Sequence, residues 1–174
     1  DLDHHVVRPR PATGRELQSF HTLEYISAVE SISQGLHGFD PSNFNFSLTG
    51  DNPYFSGMYE SALISTGASI VGAELLCEGT VDRAFNIGGG LHHAAADKAS
   101  GFCVFNDPVI AINYFLNRGM RVAYIDIDCH HGDGVQNAYY DSDQVLTISI
   151  HESGKYLFPG TGFPDENGVG PGRG

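Results

Sequence analysis

Basic residues are scarce in this chain: nine Lys and Arg stand against 21 Asp and Glu, a formal net charge of −12. That balance argues against direct binding to nucleic acid or to an anionic membrane surface, since both need a basic face. It leaves room for cationic substrates such as lysine side chains or polyamines, without choosing among them. Cysteine is scarce too. Cys77, Cys103 and Cys129 have no CxxC spacing, so the thiols are expected to be reduced, in a cytoplasmic protein. No uninterrupted apolar stretch reaches membrane-spanning length, and the polar start Asp-Leu-Asp-His-His is no signal peptide. Internal repeats and low-complexity tracts are absent. Nothing in the sequence specifies an oligomeric state.

What is present fits one globular domain or part of one: 174 residues, 41% hydrophobic, with 22 glycines that imply many loops. Residue 1 is not Met, and the run Gly168-Val169-Gly170-Pro171-Gly172-Arg173-Gly174 reads as a loop that should lead into another element. The chain is therefore expected to be a fragment. Apolar spacing predicts helices over 13–20, 22–34, 58–77, 106–117 and 134–140, and a long loop over 35–57. Strands are expected over 84–87, 122–128 and 144–150. The 58–77 helix is apolar almost all round and so expected to be buried. Strand–helix–strand alternation indicates an α/β fold with a parallel sheet, whose ligands bind beyond the carboxyl ends of the strands. Three such ends carry unusual chemistry: 88–93, 126–133 and 149–158.

The densest is Asp126-Ile127-Asp128-Cys129-His130-His131-Gly132-Asp133-Gly134, directly behind the apolar run Val122-Ala123-Tyr124-Ile125. Buried carboxylates cost several kcal/mol, roughly, unless paired or bound to metal. Strand alternation would put Asp126, Asp128 and His130 on one side. Oxygen and imidazole nitrogen together suit a divalent cation such as Zn²⁺. Asp128 and His130 are candidate metal ligands; Asp126 and Asp133 suit carboxylates that orient His92 and His93. A capping Asp and a satisfied buried His are the bland alternatives for any one of these residues, but hard to sustain for five together. Gly88-Gly89-Gly90-Leu91-His92-His93 combines a sharp backbone turn with groups that titrate near neutrality. Alone, it could equally be a phosphate-cradling loop or two surface histidines. Gly101-Phe102-Cys103 and Leu157-Phe158-Pro159-Gly160 could wall a channel for an alkyl chain, or be ordinary core.

Together with Asn106-Asp107 and Phe158-Pro159-Gly160-Thr161-Gly162, these motifs resemble, in order and spacing, the zinc-dependent histone deacetylase family. The wording is most similar to its bacterial and archaeal acetoin-utilisation branch. The resemblance implies the arginase/deacetylase fold, a three-layer α/β sandwich around an eight-stranded parallel sheet, incomplete here. It implies hydrolysis of an N-acetyl amide on a lysine side chain or a polyamine. Asp128 and His130 would bind zinc. His92 with Asp126, and His93 with Asp133, would form two His–Asp dyads, His93 acting as general base and then acid, and His92 mainly electrostatic. Phe102 and Phe158 would line the acyl-lysine tunnel, Gly90 its wall, Cys103 the acetate-release side, and Asp51 would be the rim carboxylate. One structural potassium ion would use Asp126, Asp128, His130, Ser149 and Ile150; a second would use Tyr139, Ser142 and Val145. His131 is left without a role.

A third zinc ligand, an Asp, and a tyrosine that donates to the oxyanion are expected further along than Gly174. Asp165 lacks the right context to replace the former. Two protein ligands seldom hold catalytic zinc, so these 174 residues alone are expected to bind zinc weakly and turn over little or nothing. Fe²⁺ could occupy the same ligands. Two other readings remain: an arginase-like dinuclear manganese hydrolase, disfavoured by the apolar tunnel, and a catalytically silent module that binds acylated ligands.

Overall fold

The structure, a computed structural model, describes residues 5–174. The chain enters through α1 (Gly14–Leu17), closed by a capping box in which Thr13 and Glu16 satisfy each other's backbone N–H groups. Arg10 ties this corner down, its guanidinium 2.6 Å from both Glu16 and Glu74. Thr22 caps α2 (Leu23–Ser33), whose buried stripe Tyr25, Ile26, Ala28, Val29 and Ile32 has helical spacing. The predicted loop follows, broken by a 3₁₀ turn at Pro41–Phe44.

Helix α3 (Met58–Cys77) matches its sequence-based bounds but not its expected burial. Its buried positions are Met58, Ala62, Thr66, Gly67, Ile70 and Ala73, one stripe at spacings of three and four. Contrary to the sequence expectation, α3 is long and apolar enough to cross a membrane by length and composition alone. In the fold it packs that stripe against α2 and α4 (Asp107–Leu116). Residues 84–87 are not a strand, because no neighbouring strand offers them a ladder among the described residues. Phe85 and Ile87 are exposed, and the Asn86 amide is instead held by Ser65 and Ser69 of α3.

Strand β1 (Val122–Asp126), helix α5 (Asp133–Ala138) and strand β2 (Val145–Ser149) form a βαβ unit. The strands run parallel, with Val122 opposite Val145 and Asp126 opposite Ser149. Their inward face, with Val122 and Val145, packs into a cluster with Val109, Ile112, Val135 and Tyr139. The opposite face carries Ile125, Leu146 and Ile148, all exposed. A larger cluster around Tyr25, Phe44, Phe46, Met58, Ile70 and Phe105 joins α2, α3 and the loops between them.

His21 sits inside that larger core, ringed by Phe20, Tyr25 and Phe105. Its Nε2 accepts the Asn106 backbone N–H at 3.0 Å, so the ring proton is on Nδ1. Burial pushes its pKa down to about 4. The unfolded chain binds a proton here as pH falls below 6.5, while the folded core resists until about 4. Stability is therefore expected to fall with acid across that window, by on the order of 3 kcal/mol from this group. Urea unfolding of the wild type and His21→Gln between pH 4 and 7 measures it. The variant, which keeps an acceptor, should show the flatter profile, and identical slopes would contradict the assignment.

Candidate active site

Three loops converge where β1 ends. Asp126, the last residue of β1, faces inward and is 5% exposed. Its Oδ2 lies 2.5 Å from His92 Nδ1 and accepts the Tyr124 hydroxyl, also at 2.5 Å. Its Oδ1 accepts the Asp128 backbone N–H at 3.0 Å. Asp133, the first residue of α5, places Oδ1 2.7 Å from His93 Nδ1. Both histidines are 6% exposed, and their rings stand 4.0 Å apart between centroids. Burial raises the Asp126 pKa, but hydrogen bonds from His92 and Tyr124 outweigh it and hold the carboxyl well below its usual range. Burial alone would discharge His92; the bond and charge of Asp126 win, and its pKa is raised.

Asp128 and His130 reach one place by a route other than the expected alternation. Regular strand ends at Asp126, and two successive side-chain turns follow. Asp126 Oδ1 holds the Asp128 N–H, and Asp128 Oδ1 holds the His130 N–H at 2.7 Å. His130 Nδ1 then lies 2.9 Å from Asp128 Oδ1, a separation that lets both atoms face one small cation. Irregular backbone brings the Cys129 thiol close too: donor atoms of Asp128, Cys129 and His130 lie within 4.8 Å of one another. Strand spacing had assigned Cys129 no such place.

The aromatic wall is asymmetric. Phe158 packs on the rings of His93 (4.9 Å) and His130 (6.2 Å). Phe102 is 73% exposed and adopts φ +66°, a conformation that costs a non-glycine residue about 1 kcal/mol or more. Its backbone N–H donates to Asn52 Oδ1 at 2.9 Å, which brings the exposed Asp51 loop to the same rim. Gly90 lies in the left-handed region with open space beside it. Cys103 is buried, its Sγ 3.3 Å from the Gly101 carbonyl, and burial pushes the thiol up to about 11. The residues named for the first potassium site adjoin: Asp126 pairs with Ser149, and the Ile150 N–H donates to the Asp126 carbonyl at 2.9 Å, with Asp128 and His130 in the next turns. Tyr139, Ser142 and Val145 frame the turn between α5 and β2, where the Ser142 N–H donates to the Tyr139 carbonyl. Asp165 is exposed.

The supports of the histidine loop were not assigned from sequence. Asp107 accepts the Gly90 and Leu91 N–H groups (3.1 and 2.8 Å) and the Ser69 hydroxyl. Asn106 donates to the His92 and Ala94 carbonyls. Gly134 packs against the same carbonyls so tightly that a Cβ would lie 2.8 Å from the Asn106 amide nitrogen. The Tyr124 hydroxyl had a readable signal, since Tyr124 and Asp126 share one strand face. Asp107 had none beyond its place in the Asn-Asp motif.

The histone deacetylase domain family matches the chain over residues 1–174. The chain belongs to the histone deacetylase family. It is 45% identical over 173 residues to the acetoin utilization protein AcuC of Bacillus subtilis, covering 99% of this chain and 45% of that protein. It is 46% identical over 169 residues to the histone deacetylase RPD3 of Saccharomyces cerevisiae, covering 97% and 39%. Its fold matches the crystal structure of a histone deacetylase homolog complexed with SAHA at a TM-score of 0.88 and 39% identity, covering 96% of this chain and 45% of that one. A homolog from Aquifex aeolicus matches at 0.88 and 40%, with the same coverage. The α/β fold with its parallel sheet is therefore that of the deacetylases, and the chain spans under half the length of these relatives.

Removing the charge of Asp126 would leave burial opposed only by the more distant charges of Asp128 and Asp133. In Asp126→Asn the His92 titration midpoint, followed by NMR of the ring, is expected to fall from its raised position. An unchanged midpoint would contradict the pairing.

Proposed function

We propose that this deacetylase-family chain carries the catalytic dyads and two metal ligands of a zinc-dependent amide hydrolase that removes acetyl groups from lysine side chains. The observation that carries the reading is the pair of His–Asp dyads, with both imidazoles buried, set beside the Asp128–His130 pair, with Phe158 across both. An acetylated polyamine presents the same amide on the same cationic chain, and the net charge of −12 suits either substrate. The donors fit zinc: a carboxylate oxygen and an imidazole nitrogen already 2.9 Å apart, with Fe²⁺ an acceptable substitute. When bound, the metal supplies Lewis acidity toward the acyl carbonyl and the attacking water.

The chain's own residues do the rest. Asp133 occupies Nδ1 of His93 and so fixes its tautomer, leaving Nε2 to take a proton from water and return it to the leaving amine. His92, held toward its charged form by Asp126, stabilises negative charge developing beside it. Phe158 and Phe102 exclude water along the acyl chain, and Asp51 accepts hydrogen bonds from the substrate backbone at the rim. Potassium at the two sites named from the resemblance would brace the turns after β1 and α5. Three thiols with no disulfide among the described residues go with a reducing, cytoplasmic setting.

A third protein ligand and an oxyanion-directed tyrosine belong to this reading, and no residue here is assigned to either. The proposal is therefore for a protein that carries this chain together with them; the 174 residues alone are expected to bind zinc weakly and to show little turnover. In the complete enzyme, acetyl-lysine peptide hydrolysis should vanish with a chelator and return with Zn²⁺. His93→Ala should lower kcat by about 10²–10⁴-fold. Turnover that survives either treatment would refute the reading.

A further inference from the structure

The mechanism leaves His131 unused, yet it is 2% exposed and both its ring nitrogens are bonded. Nδ1 lies 2.7 Å from Thr161 Oγ1, and Nε2 lies 2.9 Å from Gln136 Oε1. The direction of every bond follows from one end. Glu166 can only accept, so the Gln136 amide nitrogen donates to its Oε2 at 2.8 Å, leaving the Gln136 oxygen toward the ring. His131 must then carry its proton on Nε2, and the Thr161 hydroxyl donates to Nδ1. The other Glu166 oxygen accepts the Gly162 and Phe163 N–H groups at 2.9 and 3.2 Å. On the far side the His151 ring packs against His131, tilted by 45° with centroids 4.7 Å apart, and donates through Nε2 to the Gly162 carbonyl at 3.1 Å. Gly162, at φ +84°, is held so close that a Cβ would lie 2.7 Å from His131 Cγ.

One buried imidazole thus joins three pieces: the turn that bears His130, helix α5 through Gln136, and loop 151–166 through Thr161. That loop carries Phe158, which packs on His93 and His130. We propose that His131 is a positioning residue, which sets loop 151–166 and so fixes Phe158 across the acyl channel. It touches no substrate; it acts through Thr161. The inference rests on the deacetylase reading, since it assigns Phe158 to holding the acyl chain.

The distinction from plain structural support lies in kinetics. Thr161→Val removes the hydroxyl at nearly constant volume. In the complete zinc-loaded enzyme it should raise KM for an acetyl-lysine peptide roughly tenfold, with kcat within about threefold, the pattern of lost ground-state and transition-state binding alike. Zinc content should not change. His131→Asn puts an acceptor near the place of Nδ1 and should restore much of the native KM, whereas His131→Gln, which imitates Nε2, should behave like Thr161→Val. A lowered melting temperature with KM unchanged in Thr161→Val would overturn the inference and leave His131 a stabiliser only. Equal KM values in the Asn and Gln variants would overturn it as well. A wild-type enzyme with no acetyl-lysine turnover would sink the deacetylase reading and this inference with it.

Discussion

The arrangement depends on a carboxylate that the fold buries. Asp126 ends β1 on the inward face, and its charge can persist there only if its oxygens are satisfied. Three donors meet that demand: the His92 ring, the Tyr124 hydroxyl and the Asp128 N–H. Each donor belongs to a different structural job. His92 brings in the glycine loop, Tyr124 closes the strand face, and the Asp128 N–H bends the chain out of the sheet. That bend, repeated at His130 by Asp128 itself, is what turns a strand end into the loop that carries Asp128 and His130. A second buried carboxylate, Asp107, performs the same service from the other side by gathering the N–H groups of Gly90 and Leu91. The histidine loop is therefore strung between two acids, and its rings are aimed before any ligand arrives.

Much of this was legible in the sequence, for physical reasons. Polar residues stacked behind an apolar run had to be paired, so the His92–Asp126 and His93–Asp133 partnerships could be drawn from residue types and family order. The long helix at 58–77 was readable from its length and largely apolar content. Its degree of burial was not, because composition does not say how many neighbours a helix has. Residues 84–87 looked like a strand because they are short, apolar and end in glycines. A strand also needs a ladder partner, which the local pattern cannot supply, and Asn86 is held by side chains of α3 instead. Alternation placed Asp128 and His130 on one side, but the fold brings them together by another route, since the strand stops two residues early and side-chain turns take over. The same irregularity admits Cys129 beside them.

Loop supports were the least readable class. Asn106 and Asp107 open α4 as ordinary capping residues would, and nothing local marks them as the clamp on a loop some 15 residues back. His131 likewise reads as a duplicate of its neighbour. Only the fold shows that Gln136, Thr161 and Glu166 surround it, from positions 5 to 35 residues away in sequence. Adjacent histidines thus divide their work: His130 turns outward to the site, His131 inward to the loop that bounds it.

In the proposed reading carboxylates engage His92 and His93, leaving Asp128 and His130 as the metal's protein donors from this chain. Anomalous diffraction at the zinc edge, from crystals of the protein grown with Zn²⁺, tests it most directly. A peak is expected at about 2.0–2.2 Å from both an Asp128 carboxylate oxygen and His130 Nδ1, with both His–Asp bonds intact. A peak bonded to His92 or His93, or one that leaves Asp128 free, would contradict it.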